Sequence, residues 1–366
     1  MPAYIHKIET SLPRFKYQQE ELREQMKELV ADSDVNRRII HQIYSRSGIE
    51  TRYSILQDFR QSAPSQKSLF FNGHGDSPNT GHRNDVYIRE GRKLYVETAL
   101  KLCENSETKP ADITHLITVS CTGFYAPGPD YDIIQSLGMN TATERYHLGF
   151  MGCYAVLPAL KLAAKITEND PEANVMVISA ELCTLHFQAG NKTDHLISAS
   201  VFGDGSAGAI VRAQKPENGG YQLNSFASTI TKKGSEDMAW SIGDNGFDMI
   251  LSAYIPDLLT GGLDDFLEPV LNRYGLRAEE VSRWAVHPGG RAILDKVQSY
   301  LKLPEMSLEA SRNVLSKFGN MSSATILFVL DQIMKNPVNQ DKEAEEVIAM
   351  AFGPGLTIES AHLTRI

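Results

Sequence analysis

Residues 174–181 read NVMVISAE, a run in which apolar side chains follow one another without the alternation of a half-exposed strand. Unbroken apolar runs of this length are typical of strands covered on both faces, as in the sheets of α/β proteins. Two more runs in the first half of the chain, HLITVS at 115–120 and SAGAIVRA at 206–213, have the same character. The sequence therefore predicts a buried sheet to which these three strands contribute.

Longer segments with apolar residues at helical spacing lie between these strands, and the second half of the chain repeats the alternation. Strands that alternate with helices indicate an α/β protein. The predicted helices are 89–103, 155–166, 292–301 and 322–334, and the further predicted strands are RWAVHP at 283–288 and EEVIAMAF at 345–352.

The turn-forming stretch KPENGG at 215–220 separates the two series of elements. We therefore predict two α/β halves, residues 1–215 and 216–366. Their similarity lies in the order of elements, because no repeat is visible at the level of residue identity.

Composition excludes several classes of protein. The chain has 366 residues, 42% of them hydrophobic, and a formal net charge of -9, which argues against a nucleic-acid partner. It contains no apolar run long enough for a signal peptide or a membrane span. Its four cysteines show no C-x-x-C spacing, which disfavours a structural metal site or a disulfide framework. We expect a cytoplasmic protein with reduced thiols.

Cys153 lies in the segment GFMGCYAVLPALKLAAK at 149–165, where turn-forming residues precede it and an apolar helical pattern follows. This position predicts a sulfur at a helix N-terminus, where backbone N–H groups and the helix dipole favour a thiolate. The alternative is an inert core cysteine, which is the more frequent role of a single cysteine.

His287 ends a strand-like run and enters the turn HPGG, and Asn320 stands before a helix in GNMSSAT. Taken singly, the histidine fits a hydrogen-bonded structural residue and the asparagine fits a helix cap. Together with Cys153 they form a nucleophile with two polarising partners, each at the boundary of an element. Papain-like proteases use the same residue types, so the trio alone does not select a reaction.

Five motifs do select one. They are FMGCYA at 150–155, FGDGSAGAIV at 202–211, WAVHPGGRAILD at 284–295, FGNMSSAT at 318–325 and AFGPGLTIE at 351–359. In this order they resemble the type III polyketide synthases of the chalcone and stilbene synthase superfamily, across nearly the whole chain. Single-condensation ketoacyl synthases III share the trio but typically follow the histidine with Gln-Ala-Asn, where this chain has Pro288-Gly289-Gly290.

The resemblance implies a thiolase fold, in which two similar α/β halves form a layered αβαβα core, and a homodimer. Cys153 would accept an acyl group from acyl-CoA, while His287 and Asn320 would stabilise the enolate formed when malonyl-CoA loses carbon dioxide. A Cys153 thiolate of lowered pKa, paired with His287 imidazolium, follows from these roles. No metal or other cofactor is implied, because decarboxylation supplies the carbanion.

The resemblance also places substrate-contacting residues. Phe202 matches one of two phenylalanines between the CoA tunnel and the reaction cavity, and Met249 stands at the position of the other, with Phe247 as the alternative. Gly353 and Pro354 of the last motif belong to the substrate-binding wall. Arg46 occupies a basic position of the CoA site, whereas a second basic position of that site is Gln42 here.

Three small residues, Thr122, Ala126 and Cys183, match positions that line an acyl tunnel in long-chain alkylpyrone and alkylresorcinol synthases. Ala126 replaces a bulkier residue that crosses the dimer interface in plant enzymes, and His186 replaces a cavity-shaping threonine. We therefore expect a long-chain starter, few extensions and a pyrone or resorcinol product. The alternatives are a short or aromatic starter, a single-condensation enzyme, or a catalytically silent binding subunit, against which the intact trio argues.

Overall fold

The computed structural model describes residues 1–59, 68–70, 77–190, 192–231, 234, 236–252, 255–336 and 344–366. The strands are β1 (Ala3–Ser11), β2 (Phe15–Gln18), β3 (Thr51–Ser54), β4 (His115–Ser120), β5 (Glu144–Gly149), β6 (Val175–Leu182), β7 (Asp204–Arg212), β8 (Tyr221–Ile230), β9 (Met238–Gly243), β10 (Gly246–Leu251), β11 (Arg283–Val286), β12 (Glu345–Gly353) and β13 (Thr357–Arg365). The helices are α1 (Gln19–Leu29), α2 (Asp34–Ser45), α3 (Thr80–Glu104), α4 (Pro129–Leu137), α5 (Val156–Asn169), α6 (Thr193–Val201), α7 (Ile255–Tyr274), α8 (Arg291–Tyr300), α9 (Glu309–Phe318) and α10 (Thr325–Lys335).

Nine strands form one sheet in the order β11-β12-β13-β8-β1-β7-β6-β4-β5. The strands predicted from continuous apolar runs are β4, β6, β7, β11 and β12, and the residues of β6 are buried from end to end. The predicted helices correspond to α3, α5, α8 and α10, and the last of these is preceded by a 3-10 turn at Ser322–Ala324. The prediction of an α/β fold is confirmed.

Eight of the nine strands form two equivalent series, and β5 extends the first of them at the edge of the sheet. The series β1-β7-β6-β4 and the series β8-β13-β12-β11 share one pattern, two antiparallel pairings followed by a parallel one. The halves join where β1 pairs with β8 over only three positions, from Ala3↔Leu223 to Ile5↔Tyr221. Residues 213–220, which contain the predicted turn, connect β7 to β8. The division of the chain into units at residue 215 stays a prediction.

Helices α5 and α10 form the layer between the two half-sheets. Helix α5 contacts β1, β4, β6 and β7 of the first half and β13 of the second, and α10 contacts β1, β7, β11 and β12. Both helices bury apolar residues on most of their surface, as expected for helices covered on all sides. Helix α3 covers the first half-sheet from outside and α7 contacts β8 of the second. This arrangement is the layered αβαβα core of the thiolase fold.

Two peripheral units stand beside this core, and neither was predicted from the sequence. Helices α1 and α2 pack against each other, with α2 also against α6, and the β9–β10 hairpin packs against α6. Both units border the cavity described below. Among the described residues, no helix combines the length and the apolar character needed to cross a bilayer.

Candidate active site

Cys153 lies in the turn between β5 and α5, three residues ahead of the first helical residue, Val156. The backbone around it is unusual, because Phe150 and Gly152 have φ angles of 58° and 101°. A Cβ atom on Gly152 would stand 2.2 Å from Cδ of Pro354. The turn therefore needs a glycine at position 152, and it packs directly against the loop that follows β12.

His287 follows the last residue of β11, where its backbone N–H donates to the Met350 carbonyl at 2.8 Å. The side chain is buried, and neither Nδ1 nor Nε2 has a hydrogen-bond partner among the described residues. Buried polar atoms nearly always have a partner, so an orphaned imidazole indicates a site that receives a ligand.

Asn320 is fixed by its backbone, which donates to the Val201 carbonyl and accepts from the N–H of Gly203. Its Oδ1 accepts a hydrogen bond from the backbone N–H of Ser322 at 2.8 Å. This contact fixes the orientation of the amide, because only the oxygen can face an N–H donor. The Nδ2 group makes a long contact, 3.4 Å to the Gly289 carbonyl, and the amide also hydrogen-bonds to the Cys153 sulfur, so its donors face the reaction centre.

The expected thiolate–imidazolium pair is not the resting state that the site favours. Burial raises the pKa of the Cys153 thiol to about 11, against the opposing effect of a hydrogen bond with Ser322. Burial lowers the pKa of His287 to about 3. The sequence-based expectation of a lowered thiol pKa is therefore wrong for the free enzyme, because desolvation outweighs the proximity of a helix start.

The rate of Cys153 alkylation by iodoacetamide should consequently rise with pH. A thiol with a pKa of about 11 is neutral at neutral pH, and its reactive thiolate fraction grows steadily toward that value. Cys103 serves as an internal control, since burial also raises its pKa to about 11 and it stands outside the site. Peptide mass spectrometry would follow both residues, and a plateau for Cys153 in the acid range would contradict the neutral pair.

One cavity connects most of the predicted site residues. Its wall includes the three predicted catalytic residues and six of the predicted substrate contacts. These nine residues are Cys153, His287, Asn320, Phe202, Met249, Thr122, Cys183, His186 and Pro354.

Three predicted contacts are absent from the described wall of this cavity. Gly353 lies behind the nucleophile, where an added Cβ would meet the Tyr154 ring and stand 3.3 Å from the Cys153 nitrogen. Ala126 is exposed at the surface of the single chain, and Arg46 is exposed at the C-terminal end of α2. The roles predicted for Ala126 and Arg46 stay predictions.

An aromatic cluster narrows one side of the cavity. His186 stacks on Phe247 with ring centroids 4.0 Å apart, and Trp240 packs edge-on against both rings. Nδ1 of His186 accepts from the Phe247 N–H, so Nε2 carries the proton and donates to the Thr122 carbonyl at 2.7 Å. Phe247 is thus occupied in this cluster, and Met249, two residues further along β10, is the one that lines the cavity.

Several residues of the site escaped the sequence analysis. Ser322 lines the cavity and hydrogen-bonds to the thiol, and only its place in the FGNMSSAT motif could have indicated it. No sequence pattern indicated Trp240 as a site residue, because it belongs to the β9–β10 hairpin, which was not predicted. Buried Glu181 accepts from the Thr122 hydroxyl at 2.8 Å and the Cys121 N–H at 2.9 Å, and so holds together the strand ends behind Cys153.

Two equivalent α/β halves around one cavity that contains a cysteine, a histidine and an asparagine define an acyl-transferring enzyme of the thiolase fold. Residues 2–215 match the N-terminal domain of chalcone and stilbene synthases, and residues 222–366 match the C-terminal domain. The chain belongs to the chalcone and stilbene synthase family and is a type III polyketide synthase. The resemblance noted in the sequence is confirmed.

Solved structures of this class share the whole fold. PKS-I from the brown alga Ectocarpus siliculosus superposes with a TM-score of 0.92 at 25% identity, over 100% of this chain and 98% of that chain. The C-terminal type III polyketide synthase domain of Steely1, a type I/III hybrid from Dictyostelium, gives a TM-score of 0.91 at 25% identity, with 100% of both chains covered.

Proposed function

We propose that this enzyme loads a long-chain acyl group from acyl-CoA onto Cys153, extends it with malonyl-CoA, and cyclises the product to a pyrone or resorcinol. The observation that carries the proposal is the unpartnered imidazole of His287, which shares an apolar cavity with the Nδ2 donor of Asn320 and the thiol of Cys153.

In the loading step, the Cys153 sulfur attacks the acyl-CoA carbonyl, and His287 accepts the thiol proton. Its basic nitrogen is available for that proton because no protein group among the described residues occupies it. The C–S bond to CoA breaks, the proton passes to the departing CoA thiolate, and a thioester on Cys153 remains. Removing the proton during attack is required here, since the resting thiol is neutral.

In the extension step, His287 and Asn320 donate hydrogen bonds to the thioester oxygen of malonyl-CoA. The C–C bond to the carboxylate breaks, carbon dioxide leaves, and its electron pair forms an enolate whose negative oxygen these donors stabilise. The enolate carbon attacks the acyl–Cys153 carbonyl and expels the Cys153 thiolate. These two reaction steps require no metal or redox cofactor, because decarboxylation provides the nucleophilic carbon.

We assign the phosphates of CoA to the surface near Arg46. The aliphatic part of the Arg291 side chain packs against Gly48, two residues after Arg46, and its guanidinium forms an ion pair with Asp295 at 3.5 Å. Gly289 and Ile293, on either side of Arg291 in sequence, line the cavity. A local basic pair of this kind offers an anion site on a chain with a net charge of -9.

The shape of the cavity supports a long apolar starter and few extensions. The wall is mainly apolar, and the cluster of His186, Trp240 and Phe247 narrows the cavity beside Thr122. Fewer extensions leave a short polyketide segment to cyclise.

The proposed homodimer is supported by the free edge of the sheet. Strand β5 ends the strand order and is largely exposed. Exposed aromatic residues surround it, namely Phe124, Tyr131, Tyr146 and Phe150. Ala126 lies in the same region of the chain, as expected for a position at a dimer interface. An exposed strand edge with aromatic residues beside it normally pairs or is covered.

Incubation of the enzyme with malonyl-CoA and either acetyl-, cinnamoyl- or palmitoyl-CoA tests the proposal. We expect the palmitoyl starter to give the largest kcat/KM and a product that contains two or three malonyl-derived units, determined by mass spectrometry, in line with a narrowed cavity. A β-keto product with one malonyl unit would identify a ketoacyl synthase instead. A preference for acetyl- or cinnamoyl-CoA would refute the long-chain starter and leave the family assignment intact.

A further inference from the structure

One part of the wall of the reaction cavity lies against helices α1 and α2, where its side chains belong to a packed apolar cluster. We call it the helix chamber and define it by Tyr17, Leu22, Met26, Tyr44 and Phe187, which all line the same cavity as Cys153. Each of these side chains is at least nine-tenths buried. These residues are therefore interior side chains of the site.

The chamber offers an apolar environment. Both tyrosine hydroxyls are already bonded to backbone, since Tyr17 donates to the Leu56 carbonyl at 2.7 Å and Tyr44 donates to the Ala199 carbonyl at 3.2 Å. Their rings, together with Leu22 and Met26, therefore present carbon atoms to an occupant. The one guanidinium beside them in the described wall, that of Arg52, lies over the Tyr44 ring and is bonded to the Ala199 and Phe202 carbonyls. A hydrocarbon chain suits this wall, whereas a charged or strongly polar group would lose its hydration without compensation.

An independent feature marks the same part of the cavity as a ligand site. Ser198 of α6 lines the cavity next to Ala199, and its buried Oγ has no hydrogen-bond partner among the described residues. Because the next residue, Ala199, provides the carbonyl that binds Tyr44, Ser198 stands close to the chamber. A carbonyl or amide group of a bound molecule would satisfy this hydroxyl, whereas the hydrocarbon part of that molecule would not.

The side of the cavity toward Ala126 is constrained instead. Trp240 donates from Nε1 to the Cys121 carbonyl at 2.7 Å, and His186 donates to the Thr122 carbonyl. Both rings are thereby fixed against the backbone segment that leads to Ala126, which is itself exposed and absent from the described wall.

We propose that the helix chamber binds the hydrocarbon tail of the acyl starter, so that α1 and α2 determine which chain lengths are accepted. The inference rests on the proposed function and replaces the route past Ala126 by one in the opposite part of the cavity. Leu22 and Met26 lie four residues apart on one face of α1 and are the specificity residues.

The test compares palmitoyl-CoA with hexanoyl-CoA in Leu22→Trp and Met26→Trp. Withdrawing each methylene from an apolar site weakens binding about fourfold, so blocking even two should lower the palmitoyl kcat/KM by about tenfold or more. Hexanoyl turnover should change by less than about twofold, because the short tail does not reach the chamber. Leu29→Trp is the matched control, since Leu29 is on the same helix but exposed. Cys183→Phe tests the rival route, in which the acyl tail passes Cys183 on the side of Ala126.

Equal loss with both starters in a Leu22→Trp or Met26→Trp variant whose thermal midpoint is unchanged would overturn the inference, and a change in the opposite direction completes the test. Met26→Ala should extend the accepted range to longer starters. Selective loss in Cys183→Phe with none in Leu22→Trp or Met26→Trp would overturn the inference, and so would an unchanged range in Met26→Ala.

An experiment that locates the acyl tail directly distinguishes a failure of this inference from a failure of the proposed function. Palmitoyl-CoA with a diazirine at its terminal carbon is loaded onto Cys153, confirmed by intact mass, and photolysed. Crosslinks should map to the peptide containing 19–29 or to Phe187. Crosslinks at Ala126, or failure to load the long chain, would overturn the chamber. Correct crosslinks without extension by malonyl-CoA would refute the proposed function alone.

Discussion

Cys153→Ala is expected to abolish acyl loading and condensation while retaining decarboxylation of malonyl-CoA. Loading requires the sulfur as the atom that forms the thioester, whereas decarboxylation requires only donors for the enolate oxygen. Loading would be followed by intact mass after addition of acyl-CoA, and decarboxylation by release of labelled carbon dioxide from malonyl-CoA. Alanine is smaller than cysteine and should be accommodated beside Gly152 without strain.

Asn320→Ala should retain acyl loading and lose most of the decarboxylation of malonyl-CoA. Loss of one donor to a developing oxyanion lowers kcat by about a hundredfold to a thousandfold, and this loss should fall on decarboxylation while loading of Cys153 persists. The change also leaves the Ser322 N–H without its acceptor, so the thermal midpoint must be measured to show that the fold is intact. Equal losses of both partial reactions in both variants would refute the separate roles.

The hydrophobic pattern predicted the centre of the fold because its strands are buried on both faces. In β6 and β12 nearly every residue is buried and most are apolar, so the run itself is the signal. By contrast, β5 is exposed and mainly polar at its start, and it forms by pairing with β4 at a distance that no local pattern encodes. Strand β1 is another such case, because it carries His6, Lys7 and Glu9 among its buried residues.

The catalytic residues were accessible to sequence analysis because each belongs to a short motif at an element boundary. Trp240 and the residues of the helix chamber were not, since their function arises from packing between segments far apart in the chain. Trp240 reaches the Cys121 carbonyl across 119 residues, for example. The thiol pKa was mispredicted for a related reason. A helix start is visible in sequence, but the desolvation that raises the pKa of Cys153 depends on the entire cavity wall.

Gly152→Ala is expected to be among the most damaging changes of a single methyl group in this chain. The residue has a φ of 101°, which L-residues rarely adopt, and its new Cβ would stand 2.2 Å from Cδ of Pro354. Strain of this backbone and overpacking each cost about 1–3 kcal/mol, so the two together should lower the free energy of unfolding by about 4 kcal/mol.

Gly138→Ala separates the two causes. Gly138 also has a positive φ, 64°, as the C-terminal cap of α4, but no atom lies within 4 Å of its added Cβ. It should therefore lose only about 1 kcal/mol, because it experiences backbone strain without a steric clash. The two variants should differ more in kcat/KM than in the free energy of unfolding. Relief of the clash at Gly152 moves either the Cys153 turn or the Pro354 loop, and a displacement of about 1 Å at a reacting atom costs about a hundredfold in rate. Urea unfolding and kcat/KM measured on both variants check this. Equal effects at the two positions would mean that the Pro354 contact does not position the nucleophile.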